Sequence, residues 1–399
     1  MQLGCSTPCG VYGTALSNQS GRNYVMDFNP RRNYVMQWNL NIQREIAPNT
    51  SIMLGYVGAR GKHMRFQADD VNMVYPVTGI ANPAPGQPLV WPVPNTAPIP
   101  TMGAPMPGEC LDGSTPSSTG CPWPVVNQFM GRTQMALWDG NYSYNGLQVQ
   151  VQKKMSHGFQ VGGSYTFSKN MDDGGGSVAS DPFRNSISTL LWFCKACRRG
   201  LSDQDQRHNL TINYEWDIPT PESFGTPEKA VLGGWEAGGI LTVSSGTPFT
   251  VLVGGDNLGQ NNTDAYTYPD KLTTPGCANP INPGRANPTP DNQDAYVKIE
   301  CFAVPNPINR LGTAGRNSVI GPGLVDLDFS LFKNIPIHEA LKAQFRAEFF
   351  NIINHPNFQS PNDNRVILNA DGTVPSNAGA VTLMNTTSRQ IQFAMKFTW

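Results

Sequence analysis

The chain has 399 residues, and 14% of them are charged, well below the roughly 25% of an ordinary soluble domain. Its formal net charge is −1 and no Lys/Arg block stands out, so the electrostatic footprint of a nucleic-acid binder is absent. Mean hydropathy is −0.34, and no run of about 18 apolar residues occurs, which excludes a spanning helix of normal length but not a β-barrel, whose strands need only every second residue apolar.

In chain order, Met1 to Cys9 shows neither the basic nor the apolar region of a signal peptide. An export signal is therefore expected on an upstream portion. Residues 1–32 read as a tail or outer loop; Arg22-Asn-Tyr-Val-Met26 recurs as Arg32-Asn-Tyr-Val-Met36, a short duplication. From residue 33 to 399 nine segments alternate with period two, as strands of a two-faced sheet do. In the first, 33–46, Met36, Trp38, Leu40 and Ile42 oppose Gln37, Asn39, Asn41 and Gln43; Ile52, Leu54 and Tyr56 follow in the second. Segment 145–155 sets Leu147, Val149 and Val151 against Gln148, Gln150 and Gln152, and 159–167 alternates Phe, Val, Gly and Tyr with Gln, Gly, Ser and Thr. In 207–218, Leu210, Ile212, Tyr214 and Trp216 oppose Asn209, Thr211, Asn213 and Glu215. Segment 235–253 follows, then 324–332, where Val325, Leu327 and Phe329 oppose Asp326 and Asp328. In 341–349, Phe345, Ala347 and Phe349 oppose Arg346 and Glu348; 389–399 ends the series with Ile391, Phe393, Met395, Phe397 and Trp399 on one face.

A soluble sandwich would alternate in the same way. The connections discriminate. Short ones (Ala47–Asn49, Ser156–Gly158, Pro219–Gly234, Asn334–Ala340) alternate strictly with long ones (61–141, 170–206, 254–322, 355–388). From Pro76 to Pro124 there are thirteen prolines, which a sheet interior cannot hold because proline offers no ladder amide. Short periplasmic turns, long extracellular loops and aromatic residues at strand ends predict an antiparallel transmembrane β-barrel in the outer membrane. The last strand then runs downward, and counting back makes 33–46 downward as well. An odd count cannot close in the usual even-numbered way, so the nine strands are expected to be an incomplete barrel with further strands upstream.

The strings Tyr34-Val-Met-Gln-Trp-Asn-Leu-Asn-Ile-Gln-Arg-Glu-Ile46, Gly55-Tyr-Val-Gly-Ala-Arg-Gly61, Gly163-Ser-Tyr-Thr-Phe-Ser-Lys-Asn170, Asp205-Gln-Arg-His-Asn209, Ser245-Gly-Thr-Pro-Phe249 and Phe345-Arg-Ala-Glu-Phe-Phe-Asn351 resemble the C-terminal half of Oar-like TonB-dependent outer-membrane receptors. The resemblance implies a barrel of about 22 strands around a plug, energised from the inner membrane, with an N-terminal carboxypeptidase-regulatory-like domain before it. This sequence contains no plug, TonB-contacting box or regulatory-like domain. The expected partners are outer-membrane lipid, the upstream barrel and plug of the same receptor, TonB only through that plug, and the barrel-assembly machinery. Phe397 and Trp399 occupy the place of the family's C-terminal assembly signal; a girdle aromatic is the plainer reading of Trp399.

The chemistry-bearing residues form no catalytic pattern in the sequence. All eight cysteines fall in the expected outer loops or tail as near neighbours: Cys5 and Cys9, Cys110 and Cys121, Cys194 and Cys197, Cys277 and Cys301. Loop-tying disulfides are expected in an oxidising compartment; eight cysteines allow 105 pairings, of which the near-neighbour one is simplest. Cys194-Lys-Ala-Cys197 could instead be a redox pair or half a zinc site, but no second CxxC or nearby His completes four ligands. His63, His157, His208, His338 and His355 match no HExxH spacing, and no Ser/His/Asp arrangement suggests itself, so no enzyme and no cofactor are expected. Asp172-Asp173 and Asp203/Asp205 could hold calcium, although loop carboxylates are usually just solvated. Gln148, Gln150, Gln152, Asn209, Asn213, Glu215, Asp326, Asp328, Arg346 and Glu348 would line a lumen or contact a plug, or simply hydrate the wall. Two functions follow: a piece of a receptor importing a large nutrient such as an oligosaccharide or peptide, or a structural or adhesive surface barrel.

Overall fold

A computed structural model describes residues 23–68, 71, 89–90, 133–174, 191–255, 257–258, 266–282, 295–338, 341–361 and 364–399. Nine long strands dominate: β1 Tyr34–Ala47, β2 Thr50–Ala68, β3 Thr133–Ser156, β4 Phe159–Asp172, β5 His208–Asp217, β6 Trp235–Ser244, β7 Leu324–His338, β8 Leu341–Phe350 and β9 Gln390–Thr398. Each pairs antiparallel with its neighbour in sequence, giving one meander with β1 and β9 at its edges. Among the described residues the sheet does not close.

The turns at the lower end are tight for a local reason. His157 and Gly158 both have positive φ (54° and 73°), the geometry that joins right-twisted strands with two residues. A side chain at Gly158 would strike the Asp217 carbonyl, so this position needs glycine. Asn49 (φ 59°) serves the β1–β2 turn. The register then carries each apolar position to its neighbour's: Ile42 lies beside Leu54, Leu54 beside Val149, Val149 beside Tyr165, Tyr165 beside Leu210, and Leu210 beside Val243. Along this face Trp38, Leu40, Leu54, Leu147, Phe167, Trp216, Phe393 and Phe397 are exposed. A greasy face left uncovered over a whole sheet is what lipid contact requires.

Several boundaries differ from the sequence-based expectation. The segment 235–253 is not one strand; β6 stops at Ser244, because Gly246 packs against the backbone of Gly321 and Pro322, and Pro248 has no amide for a ladder. The expected loop 61–141 is narrower, since β2 runs to Ala68 and β3 starts at Thr133. β4 likewise reaches Asp172, inside the expected loop 170–206. At 24 residues, β3 far exceeds the roughly 9–11 that cross a bilayer, and its outer part stands above the membrane. There Asn23–Met26, within the expected tail, adds a short parallel pairing to residues 133–136. The connection 219–234 holds a helix, Thr226–Leu232, whose Glu228 carboxylate accepts the Gly225 amide at 2.7 Å. The expected turn 334–340 shrinks, because Asn334 and Pro336 are still paired with Gln344 and Lys342.

The largest departure is in the long loops. The protein's hydrophobic core is not in the sheet but in a cap built from them, where Leu89, Leu191, Phe249, Val251, Tyr268, Tyr296, Phe302, Val319 and Ile367 are buried together. Three two-stranded ladders brace it: Leu252–Val253 with Val366–Leu368, Asp270–Lys271 with Phe302–Ala303, and Pro248–Phe249 with Val319–Ile320.

Candidate lumen face and outward cap

Side chains opposite one another in an antiparallel ladder share a face, so the register decides which polar residues lie together. One row runs Gln148, Thr166, Asn209 and Ser244. The next runs Gln150, Ser164, Thr211, Thr242 and Asp326, and the next Gln152, Gly162, Asn213, Ile240 and Asp328. Below them lie Gln160, Glu215, Gly238, Ser330, Glu348 and Gln392. Arg346 pairs with Phe332 and Ala394 in the row beneath. All ten candidate residues thus occupy the face opposite Leu147, Leu210 and Phe393.

Several of these residues are held by neighbours outside the set. The Gln160 side-chain amide donates to Glu215. Arg346 Nε donates to Gln344 Oε1 at 2.7 Å and its guanidinium lies over the Phe332 ring at 5.4 Å, while Gln344 Nε2 donates to Asn334 Oδ1 at 2.8 Å. Asp328 Oδ1 accepts the Asn351 amide at 2.9 Å. Asp326 Oδ1 has no hydrogen-bond partner among the described residues. Gln150, Gln152, Gln160, Ser164, Thr211 and Asn213 border a recess of about 460 Å³. The amides and hydroxyls of these six side chains can donate and accept hydrogen bonds. Among the described residues no three His, Cys, Asp or Glu side chains converge as a metal site.

The cap holds the polar cluster that the sequence concealed. Arg198 and Arg316 have fully buried side chains. Arg198 reaches Asp139 at 3.2 Å and lies over the Phe66 ring at 4.1 Å. Arg316 pairs with Asp172, lies 3.6 Å from Asp203, and donates through Nε to the Arg198 carbonyl at 2.9 Å. Arg199 meets Asp173 at 3.1 Å, and Arg207 meets Asp205 at 3.5 Å. The carboxylates expected to be solvated are therefore committed to arginines; Asp173, Asp203 and Asp205 are buried. Burial pushes the Arg198 guanidinium below its ordinary value, and the charges of Asp139 and Asp173 oppose that shift. An unpaired charge at this depth would cost several kcal/mol, so the carboxylates and arginines hold one another in place.

Cys194 is joined to Cys197 (S–S 2.03 Å) and Cys277 to Cys301 (2.00 Å), both within the cap. Cys5, Cys9, Cys110 and Cys121 lie outside the described residues. Cys194-Lys-Ala-Cys197 forms the turn that delivers Arg198, whose amide donates to the Cys194 carbonyl. Phe397 stands on the apolar face beside Ala343, and Trp399 is 89% exposed just beyond β9.

The sequence profile of the outer membrane beta barrel domain family matches residues 5–392. No curated protein matches the chain. Among solved structures, similarity is found to the outer membrane transporter YddB from Escherichia coli, at 8% identity over 95% of this chain and 34% of that one, TM-score 0.40. The pyoverdine outer membrane receptor FpvA from Pseudomonas aeruginosa PAO1, solved with pyoverdine bound, is similar at 9% identity over 91% of this chain and 29% of its own, TM-score 0.37. The chain spans about a third or less of the length of these structures.

Proposed function

Because the chain belongs to the outer membrane beta barrel domain family, we propose that it forms nine strands of the wall of a TonB-dependent receptor, of the Oar-like kind, that imports a large nutrient. It is an outer-membrane barrel segment with short periplasmic turns and long extracellular loops. In this reading the face bearing Gln148, Gln150, Gln152, Asn209, Asn213, Glu215, Asp326, Asp328, Arg346 and Glu348 looks into the lumen, where it lines the path or contacts a plug. Phe397 and Trp399 serve the barrel-assembly machinery, and TonB acts only through the plug.

The observation that carries the reading is the open sheet. β1 and β9 both run toward the periplasm, and among the described residues each has an edge that pairs with no strand. Closing an antiparallel barrel between two edges of the same direction takes an odd number of further strands. A second copy of the nine cannot supply them, since it would set β9 against β1 in parallel. In this reading the wall is completed by other strands of the same receptor, and the plug belongs with them.

The second reading, a structural or adhesive surface barrel, draws on the cap's own buried core and disulfides. Fractionation of native cells tests the first. The expected species sits in the outer membrane with a mass well above 43.5 kDa, and uptake through it stops when the inner-membrane proton gradient is collapsed. A 43.5 kDa species that is already a closed barrel would overturn the receptor reading. Uptake indifferent to the gradient would favour the surface barrel.

A further inference from the structure

We propose that Arg60, Lys169 and Arg199 form a site for the phosphate-bearing headgroup of an outer-leaflet lipid. Arg60 is the eleventh residue of β2 and Lys169 the eleventh of β4, both counted from the periplasmic turns. A tilted strand crosses a bilayer in about 9–11 residues, so both side chains emerge at the outer headgroup level. Both belong to the lipid-facing side by register: Gly58, Asn145 and Lys169 form one row, and Arg60, Ser143 and Met171 the next. Directly below lies the exposed apolar band of Tyr56, Leu147 and Phe167.

Arg199 comes from the loop above and turns its guanidinium onto this face, where it donates to Ser143 Oγ at 2.8 Å. Its other arm meets the Asp173 carboxylate. Arg60 and Lys169 are exposed, and among the described residues neither has an ion-pair partner. Lys153, on the same face at the opposite end, is instead tied to Ser156 and the Phe159 carbonyl. In the rows from Thr50 to Arg60 no carboxylate stands on the lipid-facing side of β2, β3 or β4, and Asp173, already paired with Arg199, lies just beyond the last of them. With strands about 4.8 Å apart and a rise of about 3.3 Å per residue, the Arg60 and Lys169 backbones are about 12 Å apart. Two long side chains and the Ser143-bound guanidinium can therefore converge on one headgroup whose acyl chains lie along Tyr56 and Phe167.

The test takes the native outer-membrane species that carries this chain into phosphatidylcholine vesicles containing a minority of a bis-phosphorylated glycolipid, then counts the glycolipid retained by native mass spectrometry. Arg60→Gln/Lys169→Gln is expected to retain about tenfold less, and Lys154→Gln, at the periplasmic end, as much as the unaltered chain. Arg60→Lys/Lys169→Arg keeps the charges and should keep the lipid, which separates lost charge from lost fold. Equal retention by the Gln double variant, loss of retention in the charge-conserving one, or complete displacement of the glycolipid by inorganic phosphate would overturn the proposal.

Discussion

Tyr268 illustrates what the cap's interior imposes on a single side chain. It is 1% exposed, and its hydroxyl has no hydrogen-bond partner among the described residues. Burial pushes the phenol well above its ordinary range, with the nearby Arg316 pulling it back. Tyr296 is raised for the same reason, burial, but its hydroxyl donates to the Ile320 carbonyl at 2.9 Å. A folded-state value raised above the unfolded one means a contribution to stability that is complete below about pH 10 and lost as pH rises through the folded value. Tyr268→Phe removes an unsatisfied buried group and should stabilise the cap by about 1 kcal/mol. It should also reduce, but not abolish, the alkaline loss, because Tyr296 remains. Tyr296→Phe, by contrast, leaves a carbonyl without its donor and should destabilise. Protease resistance of the loops, followed from neutral pH upward, reads all three.

Among the elements, β9 is the clearest case of sequence dictating placement. Strict alternation put Ile391, Phe393, Met395 and Phe397 on one face, and the ladder to β8 sets Phe393 beside Ala347, with its ring 6.0 Å from that of Phe345. A charge there meets lipid: Phe393→Arg should cost about 2–4 kcal/mol near the bilayer midplane. Gln392→Arg, one residue away on the polar face, should cost little. Denaturant titration of the native outer-membrane species carrying each substitution, held in vesicles, measures both, and equal costs would contradict the assignment of faces. All nine strands were legible this way because period two is a local signal. The cap was not. Its core residues, such as Leu89, Phe302 and Ile367, sit in irregular loops or in strands of two or three residues, too short for a periodicity, and the partners Asp172 and Arg316 are 144 residues apart. Ion pairs at that separation leave no spacing to read. The strand 235–253 misled for a related reason: Val251 and Val253 look like its continuation, but they are core residues of the cap beyond the Gly246–Pro248 break. The ten polar candidates fared better, because their shared face follows directly from alternation once the register is known.

The whole molecule is a lipid-facing wall that continues upward into a packed body. β2 and β3 join the two without interruption, and the buried Arg198 and Arg316 bind the ends of β3 and β4 to the loops around residues 198–203 and 316–317. This arrangement fixes a direction: turns at 48–49 and 157–158 below, loops above. The most direct test of that claim is epitope tagging of the expressed chain. One tag is placed at the exposed turn Asp371–Thr373, whose hydrogen bonds are local, and another at the turn His157–Gly158. Antibody should reach the first on intact cells and the second only after the outer membrane is permeabilised. The reverse pattern, or a chain recovered in the soluble fraction with both tags accessible there, would contradict the account.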